Sequence, residues 1–497
     1  MTTLTIDPAF RVAEVDPRLF GSFVEHLGRC VYTGIYEPAH PTADEAGFRG
    51  DVAELVRELG VPVLRYPGGN FVSGYRWEDG IGPVGQRPRR LDLAWRTIEP
   101  NYVGTGEFVE WSRAVGAEPM LAVNLGTRGV DAALDLLEYC NHPGGTHWSD
   151  LRRRNGSADP YRVPLWCLGN ELDGPWQVGH KTATEYARLA AETARAMRRV
   201  DPTIELVACG SSGSGMPTFG TWEATVLAEA YDVVDYISLH SYYEPRGGDR
   251  DTFLASAVEM DRFIDAVVAT CDHVRATGRH RKHVNLSFDE WNVWYMSRFT
   301  EQDLDWAEAP RLLEDTYSVV DAVVVGSLLI SLLRHADRVR IACLAQLVNV
   351  IGAIRTEPGG PAWRQSIFHP FALTSRYGRG TVLRVEPRGP FYETPGLGEV
   401  PVVDATAVWD EATGAVTLFA VNRSQHDATT LDVDLRALSE PTVIEHVTLA
   451  DDDPDAVNTA TEPNRVTPRR LDVPTVDSGL MRVVLPALSW NMLRLEV

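Results

Sequence analysis

Eight short apolar runs, each followed by a helical pattern, recur between about Arg18 and Tyr377, and no other feature constrains the fold as tightly. The runs are Phe20–Val24, Val61–Leu64, Pro119–Val123, Val163–Leu168, Ile204–Ala208, Val233–Leu239, His283–Phe288 and Arg340–Leu344. Continuous Val, Ile, Leu and Phe marks parallel strands covered on both faces, because a strand with one wet face alternates instead. Between the runs, Asp51–Leu59 reads as an amphipathic helix closed by Gly60. Thr182 and Glu185 form a capping box, followed by a helical stripe of Tyr186, Leu189, Ala190, Met197 and Val200 that Asp201-Pro202 stops. Eight such units predict an α/β fold of the (β/α)₈ TIM-barrel kind, with a doubly wound open sheet as the competing arrangement.

After about Gly378 the texture changes. Thr406–Trp409, Val416–Val421, Thr430–Leu435, Val443–Leu449 and Met481–Leu485 are short β-rich segments separated by turn residues, which predicts an antiparallel β-sandwich. Leu4–Val15 has the same texture and is expected to join that sandwich. A chain of 497 residues exceeds what one core ordinarily supports. The expected organisation is therefore N-terminal strands over 1–17, a barrel over 18–377 and a sandwich over 378–497.

Charge narrows the partners. The net charge of -22 repels phosphate backbones and anionic headgroups, so nucleic acid and membrane surfaces are poor partners, whereas a neutral sugar is compatible. The six cysteines are scattered without CxxC spacing, so a zinc site or redox motif has no support. Met1–Phe20 has no apolar signal region, and Val319–Leu333 is interrupted by Asp321 and shorter than the roughly 20 residues of a membrane span. That stretch reads as a buried helix and the protein as cytoplasmic. Gly210-Ser-Ser-Gly-Ser-Gly215 superficially suggests a phosphate loop, but no lysine follows it.

The chemistry stands where the runs end: Glu25-His26 after the first, Arg65 through Asn70 after the second, and Asn124 after the third. Gly169-Asn170-Glu171 follows the fourth, Ser211-Ser212 the fifth, and His240-Ser241-Tyr242 the sixth. Asp289-Glu290-Trp291-Asn292 follows the seventh and Gln346 the eighth. In a barrel these ends converge on one face. Carboxylates and amides bind hydroxyls and aromatic faces pack on sugar rings, so the set suits a carbohydrate. Glu171 and Glu290 would face each other across the mouth and flank one glycosidic bond, one protonating the leaving oxygen while the other attacks. Separations of about 5–5.5 Å retain and roughly 6.5–9.5 Å invert anomeric configuration. Spacing alone does not say which glutamate plays which part.

Gly169-Asn-Glu171 with a second Glu after the seventh run resembles the retaining glycosidases of glycoside hydrolase clan A. Gly21-Ser-Phe-Val-Glu-His-Leu-Gly28, Arg65-Tyr-Pro-Gly-Gly-Asn-Phe71, Trp166-Cys-Leu-Gly-Asn-Glu171, Asp289-Glu-Trp-Asn292 and Ala345-Gln-Leu-Val-Asn-Val350 are similar to the α-L-arabinofuranosidases of glycoside hydrolase family 51. The resemblance implies an exo-acting enzyme on arabinose-containing oligosaccharides, with Glu171 as acid/base and Glu290 as nucleophile. Hydrolysis of this kind needs no cofactor. It further implies that Glu25, Asn70, Asn170, Tyr242 and Gln346 bond the furanose hydroxyls, that Arg65 and His240 sit beside the nucleophile, and that Trp95 and Trp294 line the sugar sites. It implies a homo-oligomer, often a hexamer. Gln86–Arg90 and Glu301–Pro310 have no clear counterpart and are expected near the cleft.

Each residue also has a plainer reading. A strand-end glutamate is ordinarily solvated, Gly68-Gly69-Asn70 is an obvious turn, and His240 or Tyr242 could simply be packed. Other retaining glycosidases on this scaffold, such as an endoglucanase or β-xylosidase, and a non-catalytic carbohydrate-binding protein are the rival functions.

Overall fold

The computed structural model describes residues 1–299 and 306–497. Eight parallel strands close into a barrel: β1 (Gly21–Phe23), β2 (Val63–Tyr66), β3 (Glu118–Ala122), β4 (Leu165–Leu168), β5 (Glu205–Ala208), β6 (Tyr236–Tyr243), β7 (Asn285–Val293) and β8 (Val339–Leu344). Neighbours follow chain order, and β8 returns to β1 by pairing Cys343 with Gly21 and Leu344 with Ser22. At this seam a side chain on Gly21 would come within 2.6 Å of Val63 and 2.8 Å of the Ala342 carbonyl, so only glycine fits. The open doubly wound alternative is excluded by the closure.

The runs locate all eight strands, but β6 and β7 continue past their apolar stretches. His240, Tyr242 and Glu290 therefore lie inside strands rather than beyond them. Register shifts between Ser238 and His240 and between Phe288 and Trp291 accompany this extension. Such irregularities turn adjacent residues toward one side of a strand, which strict alternation forbids.

The helices follow their sequence signals. Gly50–Leu59 buries Val52, Leu55, Val56 and Leu59, and Gly60 at φ 75° returns its N–H to the Val56 carbonyl. Ala183–Val200 starts at the Thr182–Glu185 capping box and buries Tyr186, Ala187, Ala190, Ala191, Ala194 and Met197. Val200, expected on that stripe, is exposed, because the chain turns away at Asp201 immediately after it. Val319–Arg334 is buried from Val319 through Leu333 because one side packs on the barrel and another on the C-terminal sheets. Gly326 lies directly against Trp490, and Arg423 reaches across to Ser327 at 2.8 Å. No described helix is long and apolar enough to cross a membrane.

The C-terminal region forms a seven-stranded and a four-stranded sheet around Leu4, Leu418, Leu431, Val433, Val483 and Leu493. The N-terminus joins both: Arg11–Glu14 pairs antiparallel with Thr381–Leu383, and Thr2–Thr5 pairs parallel with Thr429–Asp434. The C-terminal strands pair antiparallel with one another, as expected, and the parallel ladder is added by the N-terminal strand Thr2–Thr5. Ser489–Glu496, unmarked in the sequence reading, is an interior strand of the larger sheet. Trp490 and Met492 face the barrel side while Leu493 and Leu495 face the sandwich core, so no polar alternation advertised it.

Candidate active site

Glu171 stands just past the end of β4, after Gly169 at φ 96°, and itself adopts φ 44°. A left-handed glutamate is strained and persists only where its surroundings over-determine it. Here they do: Oε1 lies 2.8 Å from His240 Nδ1, and Oε2 accepts the Trp176 indole N–H at 3.0 Å. Glu290, inside β7, accepts Arg65 Nη1 on Oε1 at 2.8 Å and the Tyr242 hydroxyl on Oε2 at 2.7 Å. The second guanidinium nitrogen of Arg65 donates to Asn170 Oδ1 at 2.6 Å, tying β2, β4 and β7 into one frame.

His240 lies between the acids. Its Nε2 faces Asp289 Oδ1 at 2.9 Å, and Nδ1 is also 3.6 Å from Glu290 Oε2. Burial opposes charging this imidazole, but Glu290, Asp289 and Glu171 outweigh burial and push its pKa up to about 10. Burial likewise raises Asp289, yet Arg65 and His240 prevail and hold it below its ordinary value. An oxygen of Glu171, an oxygen of Glu290 and a His240 nitrogen all lie within 4.8 Å of one another, the one such group among the described residues with the composition of a metal site. An imidazolium has no free lone pair, and both its nitrogens already face carboxylates, so the trio is a hydrogen-bonded cluster rather than a preformed metal centre.

Beside the cluster opens a cavity of about 820 Å³. Glu25, Asn70, Trp95, Glu171, Tyr242, Glu290, Trp294 and Gln346 line it, whereas Arg65, Asn170 and His240 lie buried beneath. Glu25 accepts the Phe71 N–H at 2.9 Å, Trp95 Nε1 at 2.8 Å and Gln346 Nε2 at 3.0 Å. Burial raises its pKa to about 8 against the pull of the Phe71 and Trp95 bonds, with Glu290 and Asp92 adding to the rise. Asn70 accepts from Asn170 Nδ2 at 3.3 Å, and Trp294 meets the Tyr242 ring edge-on. The structure thus brings together all eleven residues selected from the sequence.

Other residues at the site were not selected. Asp289 was visible only as the neighbour of Glu290, and its partnership with His240 requires the β7 irregularity. Trp176 lies five residues past Glu171 in a loop without periodicity. The serine-glycine stretch 212–215, set aside as a failed phosphate loop, lines the cavity and is tied to Asp173 by Ser212. Asn124 caps its own loop, accepting from Gly126 and Thr127, and is absent from the cavity wall. Arg89 pairs with Glu308, which joins the two segments without a clear counterpart; residues 301–305 of the second lie outside the described residues.

Two carboxylates this close at the mouth of a barrel, beside a cavity walled by amides and indoles, define a glycoside hydrolase. Residues 55–263 match the α-L-arabinofuranosidase 1 domain, and residues 289–489 match the α-L-arabinofuranosidase C-terminal domain. An intracellular exo-α-(1→5)-L-arabinofuranosidase of Streptomyces lividans is 63% identical over 99% of this chain and 74% of its own. An exo-α-(1→6)-L-arabinofuranosidase of Bifidobacterium longum is 53% identical over 99% of this chain and 97% of its own. The solved family 51 α-L-arabinofuranosidase from Bifidobacterium longum superposes with a TM-score of 0.96 at 50% identity, covering 99% of each chain. The chain belongs to the α-L-arabinofuranosidases of glycoside hydrolase family 51.

Proposed function

We propose that the protein removes terminal α-L-arabinofuranosyl groups by double displacement, with Glu290 as nucleophile and Glu171 as acid/base. Glu290 attacks C1 while Glu171 gives its proton to the leaving oxygen, which forms a covalent arabinosyl ester and frees the remaining saccharide. Glu171 then takes a proton from water, which attacks C1 from the face opposite the ester and regenerates Glu290. The observation that carries this reading is the separation of at most 4.8 Å between facing carboxylate oxygens. So short an approach of the nearest oxygens supports the roughly 5–5.5 Å carboxyl spacing of retaining enzymes over the wider spacing of inverting ones.

The charges favour the same division of labour. Asp289 and Glu290 balance Arg65 and His240, so the buried cluster is neutral when Glu171 carries the proton that the first step consumes. Tyr242 and Arg65 hold both oxygens of Glu290 in line, as a nucleophile requires. Glu25, Asn70, Asn170 and Gln346 supply the furanose contacts, and Trp95 and Trp294 supply the walls.

For the linkage we favour α-(1→5) and for the location the inside of the cell, both as named for the Streptomyces lividans relative, while a homo-oligomer rests on the family resemblance alone. Turnover of an aryl α-L-arabinofuranoside in methanol tests the mechanism. Methyl α-L-arabinofuranoside is the expected product, and the β-anomer would overturn double displacement. Disaccharides of known linkage test the specificity, with faster cleavage of the (1→6) than the (1→5) isomer counting against it. A solution mass near 55.0 kDa would refute the oligomer.

A further inference from the structure

The catalytic cavity has a second chamber. A groove of about 610 Å³ begins where the cavity wall is formed by Ser214, Tyr242, Arg246 and Glu259, all four of which line both spaces. It runs outward between the loop after β6 and the helix Ser256–Gly278, and ends against Pro395–Leu397 of the C-terminal region. Those three residues form the tip of a hairpin whose strands are Phe391–Thr394 and Gly398–Pro401.

The hairpin is anchored to the barrel. Gly396 N–H donates to Thr252 Oγ1 at 3.3 Å, the Tyr392 hydroxyl donates to the Asp251 carbonyl at 3.1 Å, and Arg262 Nη2 donates to the Leu397 carbonyl at 3.3 Å. The far wall of the groove is thus a fixed structure contributed by residues remote in sequence from the catalytic loops.

Direction follows from the arrangement of the acids, and here the argument rests on the double-displacement reading above. Glu25, Asn70 and Gln346 occupy the side of the cavity next to β1, β2 and β8, where the arabinosyl group is held. Glu171 delivers its proton on the side of β4, where Trp176 and the serine-glycine stretch stand, so the leaving group departs across the loops after β4, β5 and β6. The groove opens on that side. Its floor holds Phe219 and Phe253, while among the described residues Arg246 and Glu259 make no side-chain hydrogen bond or ion pair. Free donors and acceptors of both signs beside aromatic rings suit a chain of neutral sugars, whose hydroxyls both donate and accept.

We infer that this groove binds the distal part of a leaving oligosaccharide, at least two sugar units beyond the cleaved bond, and that the C-terminal hairpin is part of substrate recognition. The enzyme would then distinguish oligosaccharides by length although it removes one terminal residue at a time.

The test compares kcat/KM for an aryl α-L-arabinofuranoside and for linear α-(1→5)-arabinobiose, arabinotriose and arabinotetraose. In the native enzyme kcat/KM is expected to rise roughly tenfold from the biose to the tetraose, equivalent to about 1.4 kcal/mol of added contact. Leu397→Trp, which fills the groove at the hairpin, and Arg262→Ala, an exposed change, should each flatten that rise while biose turnover continues. A native profile independent of length, or a rise that survives both substitutions, overturns the inference. Failure of the native enzyme to cleave the aryl arabinofuranoside would instead overturn the reading on which it rests.

Discussion

The Tyr242 hydroxyl donates to Oε2 of Glu290 at 2.7 Å, so the proposed nucleophile is held by a phenol that cannot easily ionise. Burial, then the neighbouring Glu290 and Glu171 charges, raise the Tyr242 pKa well above its ordinary value. It therefore remains a donor throughout the working pH range. Tyr242→Phe keeps the ring against Trp294 and removes only the bond. We expect kcat to fall by about 10- to 100-fold, the effect of one lost charge-assisted hydrogen bond on a reacting group, with a smaller change in KM. Steady-state kinetics on an aryl arabinofuranoside decide it, and an unchanged kcat would show that the bond does not aim the carboxylate.

Gly69 offers a second test. A methyl group there would lie 3.1 Å from Glu25 Oε2 and 3.2 Å from Glu290 Oε1, between an expected sugar ligand and the expected nucleophile. Arg65 pins Glu290 Oε1, so the carboxylate has little freedom to yield. Gly69→Ala should leave the melting temperature within a few degrees of native and lower kcat/KM by about 100-fold. A fully active variant would mean that the space between the two acids is not occupied during turnover.

His240 makes stability depend on pH. Its folded pKa of about 10 lies above the ordinary 6.5, so the folded state binds the proton more tightly than the unfolded state. The resulting stabilisation is complete below about pH 6.5 and is lost as pH rises through about 10. Glu25, raised to about 8 from 4.5, has the same sign over a lower window. Denaturant midpoints at pH 6, 8 and 10 should therefore decline in the native protein, with the decline above pH 6.5 visibly shallower in His240→Asn. Parallel declines would rule His240 out as their cause.

Gly326 tests the junction between barrel and sandwich. An added Cβ would lie 2.2 Å from Trp490 Cδ1, a separation that neither the helix nor the interior strand behind it can relieve without moving. Gly326→Ala should cost about 1–3 kcal/mol, despite the better helix propensity of alanine, and lower the melting temperature by a few degrees. Turnover per folded molecule should stay native, since Gly326 belongs to the junction and not to the site. A gain in stability would show that helix propensity outweighs the contact.

The barrel was legible because strands buried on both faces leave continuous apolar runs, and the proposed catalytic pair because polar residues stop those runs abruptly. The limits of that signal are equally physical. Val233–Leu239 and His283–Phe288 underestimate β6 and β7, since His240 and Glu290 continue the backbone ladder while breaking the apolar pattern. Asp289 was hidden by the same irregularity that lets it reach His240. Ser489–Glu496 escaped notice because Trp490 and Leu493 are buried on opposite faces, which erases the alternation that betrays a sandwich strand. Trp176 and the serine-glycine stretch take their positions from long-range contacts, and local composition carries no trace of those.

The parallel pairing of Thr2–Thr5 with Thr429–Asp434 has a consequence on the ribosome. Thr2 lies opposite Leu431, so this strand must wait for more than 400 further residues before its ladder partner exists. At ordinary elongation rates of about 5–20 residues per second, that wait lasts roughly 20–90 s. A strand waiting that long invites promiscuous pairing with other nascent chains. Its composition blunts the hazard: four residues, Thr-Thr-Leu-Thr, with Leu4 the single strongly apolar side chain. Brevity and polarity here keep an early-made edge harmless until its late-made neighbour arrives.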